Sequence, residues 1–525
     1  MRFFRPICRG AAVAAVILAC SLGAAGVGAA AAAASQSTVA ASQSAAAHAE
    51  YVPGQVVVGY SSPPSTSLRA AIAARAGTPQ PAAPEPTFQV VKLRRGETVA
   101  EAIARLRALR GVAYVAPNYL AHETGGWIPD DRGRTHAPGG WQFAQWNFLP
   151  GVGVNAPGAW SHLFADAAPG GRGVTVAILD TGVAYTNWTS PTGQVFTQSP
   201  DFAGTPFVAP CDVYQEMQSN AAKTSPSRCT DPHALDRQGH GTFVAGIVGE
   251  GTNNHIGLTG LAWGATLMPV RVLDPSGNGD SATIAEGIRY AVLHGAQVIN
   301  LSLEFDVSVG AADIPDVIGA IAFAHSHGVI VVAAAGNDST PGAPATLTYP
   351  ARDSQVISVG STTSDRCRAA YSNVGPGLDL VAPGGGDDAT IPSDPNCNPA
   401  RNLPDIFQMT FEDPSNPNAF SMPGGWYGTS MSAPHVAAAA ALVIASGILG
   451  SHPSPDQVLA RLEGTAQPLG ATPPPNTDYG YGLLNAGAAT AGVSQTARYH
   501  RLHQRRHHAK RRHHKRPTKK RRTTK

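Results

Sequence analysis

Three residues in this 525-residue chain supply, between them, the parts of an activated nucleophile. Asp180 closes an apolar run in Ala177-Ile-Leu-Asp-Thr-Gly-Val183. His240 stands in Gly239-His-Gly-Thr-Phe-Val-Ala-Gly246, and Ser430 in Gly428-Thr-Ser-Met-Ser-Ala-Pro-His-Val436. A serine hydroxyl attacks poorly at neutral pH unless a base stands within hydrogen-bond reach, and that base needs an anionic partner to hold its tautomer. Taken singly, each residue has a plainer reading: a turn former after a strand, a loop histidine between glycines, a helix cap. Together they are a nucleophile, a base and an orienting carboxylate.

The elements around them favour that combination. From Gly173 onward, apolar runs of strand length (Val174–Leu179, Gln297–Leu301, Val329–Ala334, Val356–Val359) alternate with helical patterns such as Thr283–His294 and Ile314–His327. This alternation predicts an α/β fold, a parallel sheet covered by helices on both faces. In such folds, functional groups gather at the carboxyl ends of strands and the starts of helices. Asp180 ends a strand, and His240 and Ser430 each begin an apolar helix. Pro434 suits a first helical turn, where its missing N–H has no partner to lose. The helix dipole there favours negative charge developing at Ser430.

Asp-Thr-Gly, His-Gly-Thr and Gly-Thr-Ser-Met-Ser-Ala-Pro, in that order, resemble the three signature motifs of the subtilase (subtilisin-like serine protease) family. The resemblance spans roughly residues 145–490 and implies a three-layer subtilisin-like fold with a mostly parallel central sheet. It implies a catalytic Asp180, His240 and Ser430, with Asn337 of Ala333-Ala-Ala-Gly-Asn-Asp338 as oxyanion donor beside the Ser430 N–H. Gly277, Asn278, Gly279 and Ser302, Leu303, Glu304 correspond to two edges that grip an extended peptide. Glu304 departs from the pattern, which usually has glycine there. With Asp338 near the base of the same pocket, it is expected to narrow the pocket or favour basic side chains, although a purely solvated Glu304 is also consistent. No cofactor is implied for catalysis. Thr252-Asn-Asn-His-Ile-Gly-Leu258 resembles the family's calcium loop: Asn254 would give a side-chain oxygen, Thr252, Ile256 and Leu258 carbonyls, and Asp201 a carboxylate. An ordinary polar loop is the alternative, and the length of 185–201 makes the Asp201 correspondence less direct.

Upstream, Tyr51–Tyr60, Gln89–Leu93 and Gly111–Val115 read as strands, with helices at Ser67–Gly77 and Glu97–Leu109. This βαβ-type unit over 51–122 resembles the inhibitor-like propeptide of secreted subtilases. Its end, Val115-Ala-Pro-Asn-Tyr-Leu-Ala-His122, resembles the segment that occupies the cleft before self-cleavage between about 121 and 140. Residues 123–144 read as a linker and maturation region, 145–492 as the catalytic domain. Residues 1–34 have a basic start and an apolar Ala-rich run, the layout of a secretory signal, followed by an Ala/Ser-rich spacer at 35–50. A retained anchor, or acylation at Cys20, would read the same residues differently. Cys211, Cys229, Cys367 and Cys397 remain beyond the signal. Proximity suggests 211–229 and 367–397 among three connectivities, and the lack of a C-x-x-C pair argues against zinc.

The net charge of +3 conceals three zones. Residues 126–497 carry 13 basic and 30 acidic side chains, while 498–525 carry 14 basic and none acidic. A uniformly basic nucleic-acid binder is excluded. The tail, 493–525, is too polar to build a core and is expected to be disordered, either dispensable or held to an anionic envelope polymer or nucleic acid. The sequence thus points to a secreted, monomeric, self-processing serine endopeptidase acting on extended protein substrates and held in check by its own propeptide. The rivals are a processing or transpeptidase relative and an inactive envelope-binding protein.

Overall fold

The computed structural model describes residues 51–60, 64–65, 67–68, 72, 88–94, 97–119 and 127–492, less 136, 166–167, 220–228 and 341. The signal, the spacer, the basic tail, most of the helix expected at 67–77 and the stretch 120–126 lie outside them. The chain divides into two compact units, residues 1–121 and 122–525.

In the first unit, strand β1 (Tyr51–Tyr60), strand β2 (Phe88–Lys92), helix α1 (Val99–Arg107) and strand β3 (Val112–Tyr119) follow one another. The sheet order is β2-β1-β3, and β1 is antiparallel to both neighbours. The expected βαβ element is therefore split, with β1 inserted between the parallel β2 and β3. Val56 and Val58 lie on one face of β1 and pack with Val91, Ala102, Leu106 and Val115. Helix α1 starts at a capping box: the Glu101 N–H donates to Thr98 Oγ1, and the Thr98 N–H donates to Glu101 Oε2.

The second unit runs through helix α2 (Ala156–Ala165), strand β4 (Thr175–Asp180), strand β5 (Cys211–Asp212), helix α3 (His240–Gly249) and strand β6 (Thr266–Arg271). It continues with helix α4 (Ser281–Leu293), strand β7 (Val298–Leu301), helix α5 (Pro315–Ser326) and strands β8 (Ile330–Ala334), β9 (Val356–Thr362) and β10 (Leu380–Pro383). Helices α6 (Thr429–Ser446) and α7 (Pro455–Glu463) follow. Seven strands form one sheet in the order β10-β9-β8-β7-β4-β6-β5, and every pairing in it is parallel. Side chains alternate across it. Val176, Ile178, Val298, Val332 and Val359 join one core with α2, α3 and α6, while Ala177, Leu179, Ile299 and Val331 join another with α4 and α5. Burial on both faces explains why these strands read as continuous apolar runs.

Strand β6 escaped the sequence pattern because Pro269 breaks it. Leu267 N donates outward, to Pro206 O, so the Pro269 nitrogen two residues on faces the same side, where β5 pairs only from Cys211. A proline is tolerated at such a gap because no ladder bond is lost. Helix α6 is buried nearly all round and packs on β7, β8, β9 and α3. Its alanines allow that close approach to the sheet. Among the described residues it alone is long and apolar enough to cross a membrane, and that composition here serves an interior helix.

The linker expected over 123–144 is corrected from Trp127 onward. Trp141 is fully buried and donates from Nε1 to the Pro129 carbonyl at 3.0 Å, while Trp127 stacks among Trp160, Phe164 and Trp263. Trp127 enters the core from irregular backbone and Trp141 from a single 3-10 turn, too short for a helical or strand period to announce them. Disulfides join Cys211 to Cys229 and Cys367 to Cys397.

Candidate active site

Asp180, the last residue of β4, is fully buried. Its Oδ1 accepts from the Thr181 N–H at 2.7 Å and from His240 Nδ1 at 2.8 Å, while Oδ2 is buried without a partner. The motif glycine explains the approach: a Cβ on Gly241 would lie 2.1 Å from the Gly182 carbonyl oxygen and 3.1 Å from Asp180 Oδ1. Asp236, which the motifs did not single out, builds the entry to α3. It accepts from the N–H groups of Gln238, Gly239 and Thr242 and from the hydroxyls of Thr181 and Thr242. An anion at a helix start is favourable. Burial works against protonating His240, yet the Asp180 carboxylate, its hydrogen bond and the Asp236 charge outweigh it and raise the imidazole pKa.

Ser430 stands in the first turn of α6, after Gly428 at φ 145°, a conformation that favours glycine. Its hydroxyl donates to the Ser302 carbonyl at 3.3 Å, and the Ser302 hydroxyl donates to the Ser430 carbonyl at 2.7 Å. Ser430, His240 and Asn337 line one cleft of about 290 Å³, together with Gly277, Asn278, Gly279, Ser302, Leu303 and Glu304. All six expected peptide-gripping residues are thus brought together. Asp338 is not in that lining; its Oδ2 accepts from Asn373 Nδ2 at 2.9 Å.

Asn337 is held from both ends. Its Oδ1 accepts from the Thr429 N–H at 2.8 Å and the Thr429 hydroxyl at 3.0 Å, while its Nδ2 donates to Glu304 Oε1 at 3.3 Å. Thr429, sitting inside the Gly-Thr-Ser motif, was the legible signal for this support.

The expected calcium residues converge only in part. Asp201 is buried and accepts from Asn254 Nδ2 at 2.9 Å and the Leu258 N–H at 2.7 Å, and Asn254 Oδ1 accepts from the Ile256 N–H. Thr252 turns its hydroxyl to the Glu250 carbonyl and to Thr259. The motif missed two further carboxylates. Asp131 accepts from the N–H groups of Asn253 and Asn254, and Glu250 is fully buried, with the Met409 N–H directed at it but no hydrogen bond closed. Burial is the first cause that raises the pKa of all three carboxyls, Asp131 to about 6; the charge of Asp130 adds to it at Asp131, that of Asp131 at Asp201, and those of Asp201 and Asp131 at Glu250. Among the described residues no Lys or Arg contributes to those shifts. This buried, oxygen-rich donor set suits a hard dication.

Residues 171–482 match the Subtilase family, and residues 37–118 match the Fervidolysin N-terminal prodomain. Subtilisin NAT from Bacillus subtilis subsp. natto is 31% identical over 407 residues, covering 77% of this chain and 81% of that protein. Subtilisin Savinase from Lederbergia lenta is 34% identical over 320 residues, 61% of this chain and 91% of the other. Among solved structures, a protease from Pseudoalteromonas arctica aligns with a TM-score of 0.52 at 30% identity, over 70% of this chain and all of that one. A parallel seven-stranded sheet with a serine, a histidine and an aspartate gathered at strand ends and helix starts is the architecture of a serine hydrolase. This chain belongs to the subtilase family: it is a subtilisin-like serine protease, acting on peptide bonds without a catalytic cofactor and carrying an N-terminal prodomain.

Proposed function

We propose that the protein is a secreted endopeptidase that frees itself from its prodomain, with Ser430 as nucleophile, His240 as general base and then acid, and Asp180 as the carboxylate that holds the imidazole. The hydrogen bond of 2.8 Å between His240 Nδ1 and Asp180, with Nε2 left for a serine in the same cleft, carries this reading. Ser430 releases the Ser302 carbonyl and turns to His240. Its Oγ then bonds to the substrate carbonyl carbon, its proton passes to Nε2, and the carbonyl π pair becomes an oxyanion. The Asn337 side chain and the Ser430 N–H receive that charge, an interaction worth roughly 10²–10³ in turnover per donor. The proton returns to the leaving amine, and water completes the cycle through the same groups. Gly277–Gly279 and Ser302–Glu304 pair with the extended substrate backbone on its two sides.

Secretion rests on the signal-like residues 1–34 together with two disulfides. A calcium ion would be held by Asp201 and the 252–258 loop, with Asp131 and Glu250 beside it, and would offset the repulsion of the buried carboxylates. The basic tail would retain the enzyme on an anionic polymer. Incubation of the purified protein with casein, with and without a fluorophosphonate inhibitor, followed by N-terminal sequencing, tests the enzyme and its maturation together. Proteolysis abolished by labelling at Ser430 is expected. An unlabelled, inactive protein would leave the binding-protein alternative, and Ser430→Ala that still matured in a protease-free host would overturn self-processing.

A further inference from the structure

Glu304 places a carboxylate directly on the group assigned to the oxyanion. Its Oε2 accepts from the Asn337 N–H at 3.1 Å and its Oε1 from Asn337 Nδ2 at 3.3 Å, with the Thr348 hydroxyl at 3.4 Å. The side chain is exposed to the cleft and lines it beside Ser302 and Ser430. Among the described residues no Lys or Arg contributes to its electrostatic surroundings; the charge that reaches it is that of Asp338, a second anion. Partial burial and Asp338 raise its carboxyl pKa, against the hydrogen bonds from Asn337 and Thr348. An anion with three neutral donors, no cation and an open approach from a peptide-binding cleft is half of an ion pair.

We infer that Glu304 selects substrates with lysine or arginine before the scissile bond, and that the substrate's cation also relieves a negative charge acting against the oxyanion at Asn337. The inference rests on the proposed roles of Ser430 and Asn337. The Asn337 amide nitrogen carries two hydrogens: one is donated to Glu304 Oε1, and the other is the one the oxyanion would receive. Without a counter-charge, the transition state places a second anion on the same NH₂ group. Two like charges bonded to one NH₂ group in a partly desolvated cleft repel by enough to slow reaction on the order of 10- to 100-fold. A lysine or arginine side chain in the pocket closes a charge-assisted pair with Glu304 and removes that opposition. The preference therefore reaches kcat as well as KM, because the relief grows as negative charge develops. A glutamate before the scissile bond would be the poorest substrate, adding a third anion to Glu304 and Asp338.

The test uses the mature enzyme and fluorogenic peptides identical except for Lys, Arg, Gln, Leu, Phe or Glu before the cleaved bond, with kcat and KM measured separately. Lys and Arg peptides are expected to exceed Leu and Gln by about 10²-fold in kcat/KM, with about 10-fold of it in kcat. Glu304→Gln, nearly isosteric, should bring the series within a few-fold and raise kcat for the Leu and Gln peptides. Comparable wild-type rates for Lys, Leu and Phe would overturn the selectivity, with or without a foldable variant. A preference confined to KM, or a ratio unchanged in Glu304→Gln, would overturn the link through Asn337. Fluorophosphonate labelling of Ser430 on the same preparation separates these outcomes from a failure of the protease reading, which would show as no labelling and no cleavage of any peptide.

Discussion

Two carboxylates, one buried behind the cleft and one lining it, are each hydrogen-bonded to a group assigned to catalysis, and they have opposite effects. On one side Asp180 bonds to His240 and raises the imidazole pKa. On the other, Glu304 bonds to Asn337, the donor assigned to an anion. The distances do not decide the effect. The sign of the charge developing during reaction does: positive at the imidazole, where a carboxylate helps, and negative at the oxyanion, where it opposes. Pre-organisation is judged against the transition state and not against the resting hydrogen bonds.

Substitution can break this contrast from either side. Asp180→Asn should cost about 10⁴-fold in kcat, because the amide stabilises the wrong tautomer and cannot balance an imidazolium. Asn337→Leu should cost roughly 10²–10³-fold in kcat with KM little changed, the signature of a donor used only in the transition state. Glu304→Gln, the same change of acid to amide as at Asp180, should instead raise kcat about 10-fold on a leucine peptide. Steady-state kinetics on one peptide pair measures all three. Because His240 must be neutral to accept a proton, its raised pKa should place the acid limb of kcat/KM above the ordinary imidazole value of 6.5. A limb at or below that value would mean that Asp180 does not prevail over burial. The smallest effect lies away from the cleft: chelation should lower the melting temperature by about 5 °C if a cation balances Asp131, Asp201 and Glu250. An unchanged melting curve would remove the calcium site.

Much of this is legible in the order of the residues alone, for reasons that differ from place to place. Strand β4 and helices α3 and α6 announce themselves because apolar runs ending in a polar residue mark buried elements with functional ends. The edges Gly277–Gly279 and Ser302–Glu304 are found through the family resemblance. Adjacency to Asn337 carries no information on what Asp338 touches: it bonds to Asn373 and does not line the cleft, although its charge still reaches Glu304. Asp131 is hidden in an aperiodic stretch that reads as linker, and Glu250 looks like an ordinary helix-end residue. Strand β6 is lost to Pro269, and the pairing of β1 with both its neighbours cannot be told from a simple βαβ order.

By itself the sequence determined the family, the α/β alternation, the three residues proposed as the triad and the presence of Glu304 beside them, because each is written in residue type and local spacing. Only the tertiary structure decided what Glu304 touches, that Asp338 bonds to Asn373, and that three carboxylates are buried together around the 252–258 loop. Those facts depend on contacts between segments tens to hundreds of residues apart. There the direction of one side chain is set by packing against neighbours that local pattern does not specify.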